Sequence, residues 1–271
     1  MSVVAAYIVP GSPLPYLRPE NPPWTAIASA CRAAGRSLST ARPDTLLVYS
    51  TQWMAVLDEL WQMRRSSHDV HVDHNWYEYG DLEYDITCDT ELAAACIEGS
   101  KEIGISSKGV DYDKFPIDTG TIVANGFLNP GNRIPLTIGA NNLYHSFDDT
   151  VRLAEMAVEK ARRLNRRVAV IGVGGLSGSI FRHEIDITTD GIATAADDEW
   201  NRKMLARIEA GGSAAELGAF AQEYAKEAKA DMGFKHFGWV LGGLGGRVMG
   251  AKVLAYGATY GSGAAVIEFR V

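Results

Sequence analysis

The sequence predicts a single α/β domain over residues 1–271, a central mixed sheet flanked by helices, and three observations predict it. Short β-branched, apolar runs at residues 3–9, 45–49 and 167–173 are bounded by proline or polar residues, as buried strands are. Helical patterns separate these runs, so β-α-β crossovers would join parallel strands. No internal repeat, low-complexity linker or shift in composition marks a domain boundary.

Each element has its own warrant. Residues 1–10 are apolar but lack a basic leader and a small-residue cleavage pattern, so they read as a buried strand rather than a signal peptide. Residues 24–38 are Ala-rich and stop before Pro43, which suits a crossover helix. Residues 148–164 carry Val151, Leu153, Met156, Ala157 and Val158 among charges, then yield to the strand at Val168. Helices are expected at 197–209 and 213–230, separated by Gly211-Gly212, the second opening on the capping box Ser213-x-x-Glu216. The run Gly242-Gly243-Leu244-Gly245-Gly246 stops the helix before it, and Tyr260-Gly261-Ser262-Gly263 leads into a terminal strand at 264–269.

Composition removes several classes of function. With 271 residues, 46% hydrophobic and 22% charged, the chain can bury a substantial core and does not belong among disordered proteins. A net charge of -7 opposes binding to nucleic acid, and the densest basic cluster, Arg162-Arg163 with Arg166-Arg167, falls at an expected helix end where cations complement the dipole. No stretch reaches the ~18 apolar residues that span a membrane. Cys31, Cys88 and Cys96 are too few and too irregular for a disulfide framework or a zinc motif, which points to a reducing, cytoplasmic setting.

Four constellations could carry chemistry. In His68-Asp69-Val70-His71-Val72-Asp73-His74, strand alternation would put Asp69, His71 and Asp73 on one face, but same-face neighbours lie ~7 Å apart and converge poorly on a metal. We therefore expect histidines hydrogen-bonded to nearby carboxylates, and a contact surface for a partner built from His71, His74, Trp76, Tyr77 and Tyr79, with Tyr84 nearby. The glycines of 172–178 follow a strand but match neither a dinucleotide fingerprint nor a phosphate loop, and read as a tight turn. Ser177, His183 and Asp186 make a triad only on paper, because the Gly-x-Ser-x-Gly elbow is absent. Asp118-Thr119-Gly120-Thr121 and Ala140-Asn141-Asn142 read as capping turns.

Several motifs, taken together, resemble the class III extradiol ring-cleavage dioxygenases across nearly the whole chain. They are Val9-Pro10-Gly11-Ser12-Pro13-Leu14-Pro15, Leu47-Val48-Tyr49-Ser50-Thr51-Gln52-Trp53, His71-Val72-Asp73-His74-Asn75-Trp76, Asp118-Thr119-Gly120-Thr121, Ala140-Asn141-Asn142, Gly174-Gly175-Leu176-Ser177-Gly178 and 260–268. The resemblance implies that fold and a place in the opening of aminophenol rings. In active members two histidines and one carboxylate hold Fe(II), and a third histidine moves protons. The matching positions here are Leu14, Gln52 and Gly178, none of which can replace an imidazole.

The resemblance therefore implies an inactive supporting subunit with no metal or cofactor of its own. Fe(II) would reside in a homologous catalytic beta subunit, paired with this chain as α2β2. The family's carboxylate falls at Glu227 or Asp231. The rival expectations are an active oxygenase with displaced ligands from His68, His71 or His74, and a regulatory module that binds phenols in a retained pocket.

Overall fold

The computed structural model describes residues 2–178 and 184–271, so His183 of the paper triad lies outside the described residues. β1 (Val3–Val9) leads through the one-turn α1 (Leu14–Leu17) to α2 (Pro22–Ala41) and β2 (Thr45–Ala55). A short β3 (Glu59–Gln62) and the hairpin of β4 (Ser66–His71) and β5 (Leu82–Thr87) precede α3 (Thr90–Glu102), β6 (Ser107–Val110) and α4 (Thr119–Leu128). Then come β7 (Leu136–Asn142), α5 (Phe147–Arg163), β8 (Val168–Val173), α6 (Ala195–Ala210), β9 (Gly212–Ser213) and α7 (Ala214–Glu227). α8 (Lys235–Gly243), β10 (Arg247–Val248), β11 (Ala251–Thr259) and β12 (Ser262–Phe269) complete the chain.

Eight strands form one mixed sheet in the order β11-β12-β1-β8-β2-β7-β3-β6. β1, β8, β2 and β7 run parallel, as the crossover pattern predicts, and β12 and then the edge strand β11 add antiparallel beside β1. Alternation along the central strands divides the interior into two cores. Tyr7, Val9, Leu46, Val48, Ala169 and Ile171 face α2 and α4. Ala6, Ile8, Leu47, Tyr49, Val168 and Val170 face α5 and α8 on the other side. Parallel strands covered on both faces read as near-continuous apolar runs, which is why β1 and β8 were legible.

Boundaries follow local chemistry. α2 starts at Pro22, two residues before the expected start, because proline suits the first turn, where its missing N–H is not needed. Asp118 caps α4 by accepting from Thr121 N–H, and the Ser213/Glu216 capping box opens α7 as expected. α7 ends at Glu227 rather than at residue 230. The chain there turns through left-handed Lys229, Met232, Gly233 and Phe234. Arg162 and Arg163 lie in the last turn of α5, both paired with Glu159. Among the described residues, no helix is long and apolar enough to cross a membrane.

Helix α8 lies so close to α5 that a β-carbon at Gly242 would overlap the Val151 carbonyl, a backbone group that cannot swing aside. Gly242→Ala should therefore destabilise the fold by about 1–3 kcal/mol, the usual cost of overpacking. Urea unfolding measures it, and an unchanged midpoint would contradict this packing.

Candidate functional site

The loops that follow β1, β2 and β8 meet at the carboxyl ends of parallel strands, where open α/β sheets commonly bind ligands. They border a half-open cavity of about 870 Å³ that is also lined by the turn after β4 and by Tyr260. Gln52 sits near the end of β2, and its Nε2 donates to the Gly11 carbonyl at 3.1 Å. Close approach is built in here, since a β-carbon on Gly11 would come within 2.9 Å of that amide nitrogen. Gly178, in the loop after β8, also lines the cavity.

Leu14 does not. It is fully buried as the first residue of α1, and the part of its loop that borders the cavity is residues 10–13. The structure thus corrects the expected position: the segment facing the cavity presents two prolines, a glycine and Ser12, because α1 begins immediately after Pro13 and turns Leu14 inward.

Asp231 and Glu227 part company. Glu227 is exposed at the end of α7, whereas Asp231 lines the cavity. Asp231 Oδ2 accepts from the Thr51 hydroxyl at 2.6 Å and from Gly175 N–H at 2.9 Å, and its own N–H donates to the Leu176 carbonyl. A left-handed conformation costs a residue with a β-carbon roughly 1–2 kcal/mol. The turn that aims Asp231 carries Lys229, Met232 and Phe234 in that conformation.

The segment expected to form a contact surface borders the cavity. β4 ends at His71, so Asp73 leaves the strand alternation, and a turn held by Asn75 N–H to Asp73 carries the chain across the opening. The Thr119 hydroxyl donates to Asp73 at 2.7 Å. With its single proton committed there, it must accept from His71 Nε2 at 2.8 Å, which fixes a proton on that nitrogen. His71 therefore reaches a carboxylate only through Thr119. His74 pairs with Asn75, and Trp76 packs edge-on against Tyr260 at 4.8 Å. His71, His74 and Trp76 thus line the cavity, Tyr77 is exposed, and Tyr79 lies beside Trp76 and under Arg18. Asp118, read from the sequence only as a cap, also accepts the Ser50 hydroxyl at 2.6 Å and so ties α4 to β2.

Two buried ionisable groups behind the cavity gave no sequence signal. His236 is fully buried beneath Gly174, and neither ring nitrogen has a hydrogen-bond partner. Burial pushes its pKa down to about 4, with Asp231 opposing, so the ring is neutral at physiological pH. Glu59 opens β3 with its carboxylate sealed from solvent, 3.3 Å from His145 Nδ1. Burial raises it to about 7, against the pull of His145 and Lys235.

The chain matches the family described as the catalytic LigB subunit of aromatic ring-opening dioxygenase over residues 7–267. It is 49% identical to a 2-aminophenol 1,6-dioxygenase alpha subunit of a Pseudomonas species, with both chains covered in full. The beta subunit named for the same enzyme is 26% identical across 99% of this chain and 94% of its own length. A crystal structure of an uncharacterized protein from Escherichia coli K12 shares the fold, with a TM-score of 0.70 at 13% identity over 98% of this chain and all of its own.

The side chains at these loops do not fit the two imidazoles and one carboxylate of a non-haem iron centre. Gln52 offers an amide whose nitrogen is bonded to Gly11 and Gly178 has no side chain, so the carboxylate of Asp231 stands there without the two imidazoles such a centre needs. Among the described residues, no three His, Cys, Asp or Glu side chains gather as a metal-holding group.

Two outcomes follow from this geometry. Asp231→Ala should cost about 1–3 kcal/mol by stranding the buried Thr51 hydroxyl and the partly buried Gly175 amide, whereas Glu227→Ala on the exposed face should stay within ~0.5 kcal/mol. Denaturant titration of both variants compares them, and equal effects would remove the latch. Because the folded pKa of Glu59 is raised, its stabilising influence is complete below the unfolded value near 4.5 and is lost as pH climbs through about 7. Glu59→Gln should abolish that fall, so unfolding free energy measured from pH 4.5 to 8 should be flatter than in the parent protein.

Proposed function

The chain belongs to the LigB family of aromatic ring-opening dioxygenases, and from that premise we propose that it is the alpha subunit of a heteromeric dioxygenase opening 2-aminophenol or a substituted aminophenol at the 1,6 position. In this reading the chain does not catalyse the reaction. It stabilises a homologous beta subunit that holds Fe(II), in a cytoplasmic α2β2 assembly.

One observation carries the reading: identity to the named alpha subunit is 49% over full length, against 26% to the named beta subunit. The cavity supports it from the chemical side. Where ring cleavage needs imidazoles to hold a metal and to pass protons, this chain presents Gln52, Gly178 and the segment 10–13. General acid-base groups contribute ~10²–10⁴-fold to rate, and an amide or a bare backbone supplies none of it.

A supporting role has a physical basis in mass action. A protein that binds only the folded form of its partner stabilises it by RT ln(1 + [L]/Kd). Obligate interfaces reach ~2,000 Å² or more, and a homologous fold supplies such a surface without supplying chemistry.

The test is to purify this chain alone and with its beta partner, then measure iron content, oxygen uptake with 2-aminophenol and the partner's melting temperature. The expected result is substoichiometric iron and no ring cleavage by this chain, with a higher melting temperature for the partner when both are present. Stoichiometric iron and turnover by this chain alone would sink the reading.

A further inference from the structure

The four arginines Arg32, Arg36, Arg42 and Arg133 line a second groove, of about 800 Å³, that no part of the proposed function uses. It lies at the far end of α4. Thr119, at the start of that helix, borders the cavity, while its last turn at Gly126, Phe127 and Leu128 lies in the groove. A helix of this length separates the two by roughly 15 Å. We propose that the groove is a binding site for a small polyanion, a compact molecule bearing at least two carboxylate or phosphate groups.

Charge segregation is the first support. No Asp or Glu lines the groove, and none of its four arginines has an ion-pair partner among the described residues. Outside the groove six described arginines are ion-paired, among them Arg162 and Arg163 with Glu159 and Arg166 with Asp89 and Glu91, and six are not, so what sets the groove apart is the gathering of four without a carboxylate. In a chain with 33 acidic and 26 basic residues, four unneutralised guanidiniums around one concavity are not the product of an excess of cations. Arg32 and Arg36 also stand one helical turn apart, a like-charge spacing that costs a few tenths of a kcal/mol until something neutralises it.

The groove is also rigid. Asn129, 3% exposed, accepts from Arg133 N–H and Ile134 N–H and donates to the Ile134 carbonyl, which fixes the turn that presents Arg133. Arg42 ends α2 in the left-handed conformation, φ 50°, where glycine or asparagine is the usual choice. An arginine held there against local preference suggests its side chain has a use. Arg32 lies over the ring of Phe127 at 5.8 Å, and Tyr16 meets that ring edge-on at 4.9 Å.

These features select the ligand. Guanidinium groups pair with carboxylate and phosphate through two parallel hydrogen bonds, and several around one site favour more than one anionic group. The volume falls in the range of small-molecule pockets, ~300–1,000 Å³. The Phe127 ring and the apolar faces of Pro43, Pro130 and Ile134 suit a carbon body between the anionic ends. This assignment stands independently of the aminophenol reading.

The test is isothermal titration of the full chain with citrate and, separately, inorganic pyrophosphate, in salt near 0.15 M. The comparison proteins are the double variant Arg36→Gln/Arg133→Gln and the control Arg162→Gln on α5. Both groove arginines are exposed, so anion-free unfolding midpoints should match the parent and separate lost binding from lost folding. The expected result is saturable one-to-one binding of at least one probe, weakened about tenfold or more in the double variant and unchanged in the control. Absence of saturable binding by both probes overturns the proposal, as does binding that survives the double variant. If neither probe binds while the double variant loses association with the beta partner, the groove is a protein-docking surface and the proposal also fails.

Discussion

The carboxylate of Asp231 joins three parts of the chain that are remote in sequence. Its Oδ2 holds the Thr51 hydroxyl on β2 and the Gly175 amide after β8, while its own amide is held by Leu176. Thr51 in turn accepts from Asn141 on β7, and Asn141 accepts from Tyr49. A single network thus fixes the carboxyl ends of β2, β7 and β8 relative to the turn before α8. Charge-assisted hydrogen bonds of this kind are short and roughly twice as strong as neutral ones. The bordering loops owe their shape to this network, and the cavity is what that shape leaves open.

Such a latch commits side chains at the cavity's edge to structure. Oδ2 of Asp231 is shared between two donors, which ties the carboxylate to β2 and to the loop after β8. Gln52 shows the same logic. Its amide nitrogen bonds Gly11, so it joins the loop after β1 to the end of β2. Each side chain holds loops together at the edge of the cavity, so neighbouring loops keep their positions through the chain's own hydrogen bonds.

Legibility in the sequence followed burial and periodicity. β1 and β8 were plain because both faces are covered and their residues are apolar throughout. β2 was recognised only at its start, since Ser50, Thr51 and Gln52 break the apolar pattern while the ladder continues to Ala55. β7 runs through Asn141 and Asn142, which the sequence suggests as a capping turn because both are polar: Asn141 is satisfied within the sheet, whereas Asn142 accepts from Tyr144 N–H in the turn that follows. α3 escaped notice because Gly99 sits in it, and that glycine is there to admit Met156 and Lys160 of α5. At the site, Gln52 and Gly178, which the resemblance singles out, border the cavity. Leu14 does not, because a one-turn helix redirects the chain within a single residue. Glu227 and Asp231 could not be separated until the left-handed turn between α7 and α8 was visible, and no periodicity encodes such a turn.

The turn after β4 argues that the cavity is maintained rather than merely left over. An empty apolar hole would be expected to collapse or to fill with apolar groups, since unfilled volume costs about 24 cal/mol per Å³ in a dry core. Here its border is polar as well as aromatic, with His71, Asp73, Gln52 and Asp231 beside Trp53, Trp76 and Tyr260. Solvent or a polar guest can occupy such a space without that penalty. Its cover is held by specific bonds: the His71-Thr119-Asp73 chain on one side and the Trp76–Tyr260 contact on the other. The side chains that hold these walls apart, Asp73, Thr119, Trp76 and Tyr260, therefore belong to other segments than Gln52 and Gly178, and the pocket does not depend on what those two positions carry.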